Sequence, residues 1–405
     1  MKRVAVVGAG VAGVASAYLL CRAGYAVTLV DRNQGPALGA SRANGAQLSY
    51  AYGDALGSPS LLRHLPHILL RRDPAYRVQL QTDPEFLIWG LRFLAECLPT
   101  RSLANTQHLL KLAFATRRLL EDVLVEFDLS FDYQVSGKMI LYSTAKAFAA
   151  GAAVHRLKQS MGIRQEVLDR SEATAIEPAL TLYPDSIDRV VYSPDDAAGR
   201  PDRFCTGLVD GLVRRYGLRT LFGEEVRGIQ SCKGRVTGLS FSTCEQLDCD
   251  LVVATTGAAL DILPWTDRPV GGIWPVQGYS MTAAASPAAM RVSITDLKRK
   301  LVFARLGDDV RIAGLADIGA ARPRFSDERF DMFRSASIEA FGGAFEHKVG
   351  EIGAWSGARP CTPSSRPIIR PGRMKGLYLN LGHGTLGWTL CLGSAQFLLD
   401  LVATA

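Results

Sequence analysis

The sequence lacks a long run of charge of one sign. Its 46 lysines and arginines exceed its 39 acidic residues by only seven, and the basic residues are scattered among acids along all 405 positions. Nucleic-acid-binding proteins concentrate basic residues in a patch or stripe, so we expect no nucleic acid partner. Internal repeats and low-complexity segments are absent as well. The length and the 48% hydrophobic content predict a globular protein of two or more domains.

The sequence also lacks the usual spacings of a metal site. Its eight cysteines are dispersed, with no CxxC and no Cys/His set, so we expect no metal. Cys21, Cys205 and Cys391 fall in apolar patterns and are predicted to be small buried residues. His64 and His67 form an HxxH motif, but Pro66 lies between them and is predicted to break the helical geometry that a metal-binding pair would need.

A leader and a membrane span are not predicted either. The first strand begins by Val4, which leaves no room for a signal or transit segment and favours a cytoplasmic location. Residues 376–399 contain no Asp, Glu, Lys or Arg, and such a stretch is long enough to cross a bilayer. Its glycines, Asn380 and His383 instead favour a strand over 377–381, a Gly-rich loop and a buried helix.

The first 32 residues carry the pattern of a dinucleotide-binding unit. A short apolar strand over 4–7 precedes Gly8, Gly10 and Gly13, which form GxGxxG, and a helix follows. The glycines allow a tight turn, a close approach of phosphate and close helix packing, while the helix N-terminus faces the pyrophosphate. Asp31 ends the second strand, where a carboxylate accepts hydrogen bonds from ribose hydroxyls and disfavours a 2′-phosphate. The motif by itself does not separate NAD from FAD.

The chain beyond the second strand departs from a typical NAD dehydrogenase. It enters a Gly-, Ser- and Asn-rich stretch, "GPALGASRANGAQLSYAYGD", in which Ser41, Asn44 and Gly45 can supply hydrogen-bond donors to a flavin or its phosphates. The dinucleotide unit resumes with a helix from Asp202, a strand over "LRTLFGEEVRGI" and a hairpin with a buried strand that ends at Thr255-Thr256-Gly257. A second domain is predicted from amphipathic helices after residue 83 and from strands over "SGKMILYST", "VQGYSMTA", "RVSITD" and "KLVFARLGDDVRIAGLA".

Seven stretches in order resemble the D-amino acid oxidase-like flavoproteins, and within them the bacterial D-amino acid dehydrogenase small-subunit type. They are "GAGVAGVASAYLL", "DRNQGPALGASRANGAQLS", "IEPAL", "VYSPDDAAG", "VQGYSMT", "WSGARPCTPSSRPII" and "LNLGHGTLGWTLCLGSAQFLLDL". The resemblance implies an α/β fold with a Rossmann-like FAD-binding domain, built from discontinuous segments, and a mixed α+β substrate domain. We expect the first domain to comprise 1–55, 165–265 and 355–405, and the second to comprise 56–164 and 266–354.

The resemblance also implies the reaction. A non-covalently bound FAD would accept the α-hydride of a D-amino acid at N5, and water would hydrolyse the imino acid to a 2-oxo acid and ammonia. The implied electron acceptor is a quinone, with the protein peripheral to the cytoplasmic face of the inner membrane. The helical stretch "EFLIWGLRFLAECL" is apolar on almost every side, which agrees with an exposed contact surface but equally with burial in the substrate domain.

The family pattern assigns roles to particular residues. Arg359 in "SGARP" is the expected anchor of the substrate carboxylate, with a structural ion pair as the alternative. Tyr279 is expected to face the flavin and Tyr52 to contact substrate, and their alternatives are a core tyrosine and loop packing. The turn before the last helix is expected to stabilise the reduced flavin, with His383 either ordering this loop or acting as a base. The expected cofactor-binding residues are Gly8, Gly10, Val11, Ala12, Asp31, Arg32, Ser41, Asn44, Gly45, Gln47, Val226, Thr256, Gly257, Gly382, His383, Gly384, Thr385, Leu386 and Gly387.

The sequence departs from the family pattern at two places. Ser364-Ser365 replaces a usual Asp-Gly pair, and Arg370 replaces a usual glycine. Other functions remain open at this point: an oxygen-using oxidase or a dehydrogenase of glycine, sarcosine or D-proline and hydroxyproline, or a flavin-containing electron-relay subunit without its own substrate. The presence of Arg359 and Tyr279 argues against the last of these.

Overall fold

The computed structural model describes residues 1–243, 246–347 and 353–404. Two sheets dominate it, one parallel except at one edge and one mixed, with helices packed on their outer faces. The strands are β1 (Arg3–Val7), β2 (Ala26–Asp31), β3 (Gln47–Leu48), β4 (Tyr76–Val78), β5 (Lys138–Tyr142), β6 (Glu166–Leu168), β7 (Arg189–Ser193), β8 (Ala197–Ala198), β9 (Arg219–Phe222), β10 (Val226–Cys232), β11 (Arg235–Phe241), β12 (Gln246–Asp248), β13 (Leu251–Ala254), β14 (Trp274–Ala284), β15 (Ser293–Asp296), β16 (Leu301–Leu306), β17 (Asp309–Ile318), β18 (Gly353–Cys361), β19 (Ile368–Pro371) and β20 (Leu377–Leu381). The α-helices are α1 (Val11–Arg22), α2 (Pro59–Leu69), α3 (Pro84–Glu96), α4 (Pro99–Glu126), α5 (Ala145–Ala150), α6 (Ala152–Ser160), α7 (Arg170–Ile176), α8 (Pro201–Tyr216), α9 (Asp327–Phe341) and α10 (Gly387–Ala403).

The first sheet is the predicted Rossmann-like unit. Its order is β19-β20-β13-β1-β2-β9, and all of its neighbouring strands are parallel except β19 and β20. Strands from near residues 3, 26, 219, 251 and 377 therefore meet in one sheet, which confirms that this domain is built from discontinuous segments. The central strand β1 is buried from Val4 to Val7, as expected for an apolar strand covered on both faces.

The second sheet forms the centre of the predicted substrate domain. Its order is β18-β14-β17-β16-β15-β5-β7-β6, with β4 added in parallel to the end of β17. One face packs on α9 through an apolar core that includes Met281, Phe303, Ile312 and Phe333. The opposite face turns toward the first domain, where the Ser280 hydroxyl donates to the Ala43 carbonyl at 2.5 Å. The predicted mixed α+β arrangement is confirmed.

The uncharged C-terminal stretch forms the predicted strand and helix. By length and composition, residues 384–403 are apolar enough to cross a membrane, but α10 packs between α1 and α4 in the core of the first domain. Gly393 lies where α10 approaches α4 most closely, because an added Cβ would stand 2.2 Å from the Leu112 carbonyl oxygen. This contact buries α10 in protein.

Two predicted domain boundaries move in the structure. Strands β6, β7 and β18 belong to the second sheet, although residues 165–193 and 355–361 were expected in the FAD-binding domain. In addition, α4 joins the core of the first domain through Leu119, Leu120 and Val123. The sequence pattern finds the longer elements but not the sheet on which each one packs, because the same apolar stripe can pack on either sheet.

The interpretation of Pro66 is also corrected. Pro66 lies inside α2, which continues from Pro59 to Leu69. The rings of His64 and His67 stack with centroids 5.2 Å apart, and His64 Nε2 is 2.8 Å from a carboxylate oxygen of Asp73. Pro66 has no N–H and cannot donate to the Leu62 carbonyl, but its own carbonyl accepts from the Leu70 N–H at 3.0 Å, so the helix continues for one more turn to Leu69.

Candidate active site

One large cavity lies between the two sheets, at the carboxyl ends of the parallel strands. Its volume is about 2520 Å³, more than the few hundred to about 1,000 Å³ of a typical small-ligand pocket. Every residue predicted for cofactor or substrate contributes to its lining except Gly382. Gly382 lies just before the turn over 384–387 and needs to be a glycine there: its φ is +76°, and an added Cβ would stand 2.5 Å from a Thr362 methyl.

The glycines of the first turn create the narrow entry to α1. Gly8 has φ of +106°, and an added Cβ would meet the Thr255 carbonyl oxygen at 2.6 Å. At Gly13 the Cβ would stand only 1.7 Å from the Gly8 oxygen, so helix and strand touch there. Gly10 is the N-cap of α1 and has no side chain over the helix terminus. These features leave the N-terminus of α1 open to the cavity, where a pyrophosphate fits.

Two polar side chains, Asp31 and Ser41, complete the site around the turn from Gly8 to the N-terminus of α1, which we call the cradle. The Asp31 carboxylate accepts from the Ala9 N–H at 2.7 Å and from the main chain and side chain of Asn33, both at 2.8 Å. Its position at the end of β2, as predicted, suits hydrogen bonds to ribose hydroxyls. The Ser41 hydroxyl accepts from the Val11 N–H at 3.2 Å, so it lies directly at the helix N-terminus. The geometry fits the adenosine and phosphate portion of a dinucleotide.

The turn over 384–387 leads directly into α10. A 3-10 helix over Gly384–Leu386 is followed at once by α10, so main-chain N–H groups and the positive end of the helix dipole face the cavity. This arrangement can stabilise negative charge on a ligand.

His383 holds this turn in place. Its Nε2 lies 2.8 Å from the Ser394 hydroxyl, which itself donates to the Cys391 carbonyl at 2.9 Å. The Ser394 proton is thereby used, so Nε2 of His383 acts as the donor. Burial lowers the pKa of His383 to about 4, which keeps the ring neutral near pH 7. Of its two predicted roles, the structure favours the ordering of the loop.

Arg359 lies on β18 with its guanidinium across β14. It donates to the Leu315 carbonyl at 2.7 Å and to the Gly314 carbonyl at 3.3 Å. No carboxylate lies within 4.0 Å of it in the described part of the chain, which argues against the alternative of a structural ion pair. Gly278 makes the position possible, because an added Cβ would stand 2.0 Å from the guanidinium. A cation that lines a cavity without a counter-charge is suited to bind a carboxylate.

Tyr76 is a site residue that the sequence interpretation missed. It lies on the three-residue strand β4 and lines the same cavity as Arg359, whose charge acts on its hydroxyl. Burial and the nearby Asp73 raise the pKa of Tyr76 to about 12, while Arg359 opposes that shift. The hydroxyl is therefore protonated and can donate to the same carboxylate. A strand of three residues has too little alternation to be recognised, so no sequence signal pointed to it.

Tyr279 borders the cavity but its ring does not point toward Arg359. The ring packs edge-on against Phe325, with centroids 5.8 Å apart, and belongs to the core around α9. Side chains alternate along a strand, and the neighbouring Ser280 already faces Ala43 of the first domain. The predicted orientation toward the flavin is therefore corrected, and the surroundings are those of the alternative, a core tyrosine.

Tyr52 lines the cavity between two buried ammonium groups. Lys138 Nζ lies 4.4 Å from the ring centroid and Lys158 Nζ lies 5.1 Å from it. Lys158 pairs with Asp54 at 2.7 Å, and both lysines are almost fully buried. The structure brings Tyr52 into the site, as predicted. Lys138 was overlooked, although a lysine at the start of an otherwise apolar strand is itself a signal.

The two departures from the family pattern lie outside the cavity wall. Ser365 has φ of +63°, the left-handed region that a glycine would adopt without strain, and its hydroxyl accepts from the Leu56 N–H at 2.9 Å. Arg370 donates to the Asp267 carbonyl at 3.0 Å. Both replacements therefore act on the fold beside the cavity rather than on its lining. Within the described residues no three His, Cys, Asp or Glu side chains are grouped as metal ligands.

Comparison with known proteins gives one family over almost the whole chain. The family model described as DAO, FAD dependent oxidoreductase, matches residues 3–401. A protein named D-amino acid dehydrogenase 2 from Ralstonia nicotianae is 37% identical over 412 residues, which cover 99% of this chain and 96% of that protein. A protein of the same name from Pseudomonas aeruginosa is 35% identical over 408 residues, or 98% and 94% of the two chains.

Solved structures with this fold are more distant in sequence. Glycine oxidase from Bacillus cereus has a TM-score of 0.72 at 18% identity and covers 100% of this chain and 95% of its own. L-proline dehydrogenase from P. horikoshii has a TM-score of 0.72 at 14% identity, with coverage of 100% and 93%. At these identities the likeness concerns the fold.

Proposed function

Because the chain belongs to the DAO family of FAD dependent oxidoreductases, we propose that it oxidises D-amino acids to 2-oxo acids and ammonia. A quinone-type compound, rather than oxygen, is the proposed electron acceptor. The observation that carries the proposal is the Arg359 guanidinium, which lines the cavity without a carboxylate partner in the described residues. The curated relatives described above bear the name D-amino acid dehydrogenase, which supports the substrate class.

FAD, when bound, supplies the acceptor for the α-hydride. The residues of the chain that would hold it are those of the cradle: the turn from Gly8 to the N-terminus of α1, Asp31, Ser41 and the turn over 384–387. These groups provide N–H donors for phosphates and for the pyrimidine end of the flavin, and a carboxylate for ribose. We propose that the binding is non-covalent.

The substrate carboxylate would bind between Arg359 and Tyr76. A guanidinium presents two parallel N–H groups to a carboxylate, and a charge-assisted bond of this kind contributes about 1.5–3 kcal/mol. The protonated Tyr76 hydroxyl adds a third donor. With the carboxylate fixed on the second sheet and the cofactor on the first, the Cα–H of the substrate is directed across the gap between them.

An exposed apolar face on α3 supports the proposal that electrons pass to the quinone at a membrane surface. Four leucines follow each other along one side of α3 and the residues just after it, and their exposed fractions are large: Leu87 49%, Leu91 70%, Leu94 37% and Leu98 48%. We call these four residues the α3 face. Phe86 and Trp89 on the other side of the helix are buried. The sequence left open whether this stretch is an exposed contact surface or is buried in the substrate domain, and the leucines of the α3 face are exposed.

The proposed occupant of the α3 face is an anionic lipid surface. Arg92, which follows Leu91 in α3, is exposed and its guanidinium donates to the Val270 carbonyl. Arg101 is exposed on the next helix, where it pairs with Glu96 at 3.3 Å, and the whole chain carries a net charge of +7. Leucines flanked by arginines match the boundary between acyl chains and anionic headgroups. A lipid-soluble quinone would then reach the protein from the same surface.

Turnover with two acceptors tests the proposal. The purified holoprotein is assayed with a D-amino acid in air and, separately, anaerobically with a soluble quinone, and the L-enantiomer is the control in each. We expect quinone reduction only with the D-enantiomer and much slower formation of hydrogen peroxide. Hydrogen peroxide formed as fast as quinone is reduced would assign the protein as an oxidase instead, and activity with glycine or sarcosine alone would reject the substrate class.

A further inference from the structure

A buried polar cluster lies beside the cavity and has no part in the proposed binding of substrate or cofactor. Its first member, Lys138, is 3% exposed and its ammonium donates to the Ser49 hydroxyl at 2.7 Å. Both residues line the large cavity. A buried lysine is rare unless it is paired, and no carboxylate lies within 4.0 Å of Lys138 in the part of the chain that the structure describes.

The second member, Asp196, is 1% exposed, and its charge interacts with that of Lys138. One carboxylate oxygen accepts from the Ala51 N–H at 2.9 Å, and the main-chain carbonyl accepts from the Gly137 N–H at 2.8 Å. Asp196 is thus fixed against the residues that directly precede Lys138 and follow Ser49. Its other carboxylate oxygen is buried and has no hydrogen-bond partner among the described residues.

Asp196 also belongs to the wall of a second, smaller cavity. This cavity has a volume of about 100 Å³, room for about three water molecules. It is lined by Tyr50 and by the ion pair between Arg117 and Asp195, whose atoms lie 3.4 Å apart and whose side chains are about one-third exposed. The cluster therefore connects the large cavity, through Ser49 and Lys138, with a small polar cavity near the surface, through Asp196.

The charges around the cluster make proton exchange possible near neutral pH. Burial lowers the pKa of Lys138, while Asp196 and Asp54 oppose this and Lys158 adds to it. Burial also raises the pKa of Asp196, against the effect of Lys138, Lys158 and Arg117. The ring of Tyr52, which lies over Lys138, has a strongly raised pKa and stays neutral. The pKa values of Lys138 and Asp196 are therefore closer together than those of an ordinary lysine and an ordinary aspartate.

We propose that Ser49, Lys138 and Asp196 form a proton-transfer path that carries the proton lost by the substrate ammonium from the large cavity to the small one. The inference rests on the proposed function. An amino acid is an ammonium ion at neutral pH, whereas hydride loss from Cα needs the lone pair of the neutral amine. Once substrate fills the cavity, this proton needs a route that does not cross the reacting atoms.

The step is a proton transfer and moves no electrons. An N–H bond of the substrate ammonium breaks and the proton passes through the Ser49 hydroxyl and Lys138. Because Lys138 does not touch the Asp196 carboxylate directly, a bridging water relays the proton across the gap, and an O–H bond forms on the free oxygen of Asp196. Lys138 ends with the number of protons it had at the start. Asp196 then releases the proton to water in the small cavity and returns to the carboxylate.

Asp196→Asn and Lys138→Met test the path. Asn keeps an oxygen for the Ala51 N–H but cannot take up the proton. Lys146→Met is the matched control, because Lys146 is an exposed lysine at the rim of the same cavity. Flavin reduction by a D-amino acid is followed anaerobically by stopped flow from pH 6.5 to pH 10 for the four proteins.

At pH 7 we expect both path variants to reduce flavin about 100-fold more slowly than the wild type, the usual effect of losing acid–base assistance. The rate should recover toward that of the wild type near pH 10, where the free amino acid is already neutral, and Lys146→Met should match the wild type throughout. A loss of the same size at every pH, or no loss at pH 7, would overturn the path. If Lys138→Met does not fold, the Asp196→Asn profile decides alone.

A second readout does not depend on turnover. A D-amino acid with a methyl group in place of its α-hydrogen has the same amine and carboxylate but cannot be oxidised. Its binding should release about one proton per ligand to the solution, which a pH indicator follows by stopped flow, and this release should be about 100-fold slower in Asp196→Asn. Proton release that is equally fast in both proteins would reject Asp196 as the acceptor. A wild type that no D-amino acid reduces would instead reject the proposed function.

Discussion

At the scale of single residues, the position of Arg359 depends on Gly278. The guanidinium occupies the space where a side chain at residue 278 would lie, since an added Cβ would stand 2.0 Å from it. A terminal guanidinium can move without disturbing the core, so a methyl group at this position should displace the anchor and leave the fold intact. The cost of a lost charge-assisted bond then appears in substrate binding.

We therefore predict that Gly278→Ala raises the KM for D-amino acids about tenfold or more, with little change in the thermal midpoint of unfolding. Gly353→Ala is the control. Gly353 lies on β18, which pairs with β14, the strand of Gly278, and an added Cβ would meet nothing closer than 3.7 Å. Steady-state kinetics and thermal unfolding check both variants. An unchanged KM in Gly278→Ala would argue against the carboxylate role of Arg359.

His383 makes folding sensitive to acid. Its pKa in the folded protein is about 4, below the ordinary value of 6.5, because burial disfavours the charged ring. The stabilisation is complete above pH 6.5 and is lost as the pH falls from 6.5 toward 4, since the unfolded chain then binds a proton that the folded chain excludes. The full effect is about 3 kcal/mol.

We predict that the free energy of unfolding of His383→Gln falls less between pH 7.5 and pH 5.5 than that of the wild type, by about 1 kcal/mol. His67→Gln, at an exposed position, should follow the wild type. Urea unfolding at the two pH values measures the difference. Equal pH dependence in His383→Gln and the wild type would mean that His383 does not titrate on unfolding.

At the scale of elements, the sequence predicts strands and helices well where a periodic pattern is long. The amphipathic helices predicted after residue 83 are found as α3 and α4, the strand predicted over 377–381 is found at those residues, and GxGxxG spans the turn from β1 into α1 as expected. Tyr76 could not be found in this way, since β4 is three residues long. The orientation of Tyr279 depends on which face of β14 meets the first domain, and this pairing is not encoded in local alternation.

The exposed leucines of the α3 face are expected to bind a lipid surface. A pair of solvent-exposed leucines that enters a lipid surface contributes about 3 kcal/mol or more. We predict that the double variant Leu87→Ser, Leu91→Ser lowers the affinity for vesicles of phosphatidylethanolamine and phosphatidylglycerol about tenfold or more. Activity with a soluble quinone should be unchanged.

The control for the α3 face is Val125→Ser with Val213→Ser, two apolar residues exposed on α4 and α8. Vesicle flotation and sedimentation measure the binding, with purely phosphatidylcholine vesicles as the uncharged reference. Equal binding of both double variants, or binding that is as strong to uncharged vesicles, would contradict an anionic lipid surface as the partner.

At the scale of the whole molecule, the cavity unites segments that are far apart in the chain. Gly8, Arg359 and Tyr52 were each predicted from short motifs, and the structure brings all three to one cavity. The domain boundaries were less accurate, because the chain passes several times between the two sheets. Lys138, Ser49 and Asp196 form a cluster only through tertiary contacts between β5, the turn after β3 and the segment between β7 and β8, so no local pattern indicated it.

The mode of cofactor binding is also a property of the whole molecule. We predict one FAD per chain, held by hydrogen bonds and by the two helix N-termini that face the cavity. Acid precipitation should release all flavin into the supernatant, where its absorbance is compared with the amount of protein. Flavin that remains with the precipitated polypeptide would contradict non-covalent binding.

The central claim is that Arg359 positions a D-amino acid for oxidation by the bound flavin. The most direct measurement is an anaerobic titration of the holoprotein with a D-amino acid and with its L-enantiomer, in the wild type and in Arg359→Ala. We predict that about one equivalent of the D-enantiomer bleaches the wild-type flavin. In Arg359→Ala the reduction should be slowed at least about tenfold, with partial recovery in Arg359→Lys, since the ammonium lacks the planar fork. Bleaching by neither enantiomer, or an alanine variant with full flavin content that is reduced as fast as the wild type, would contradict the claim.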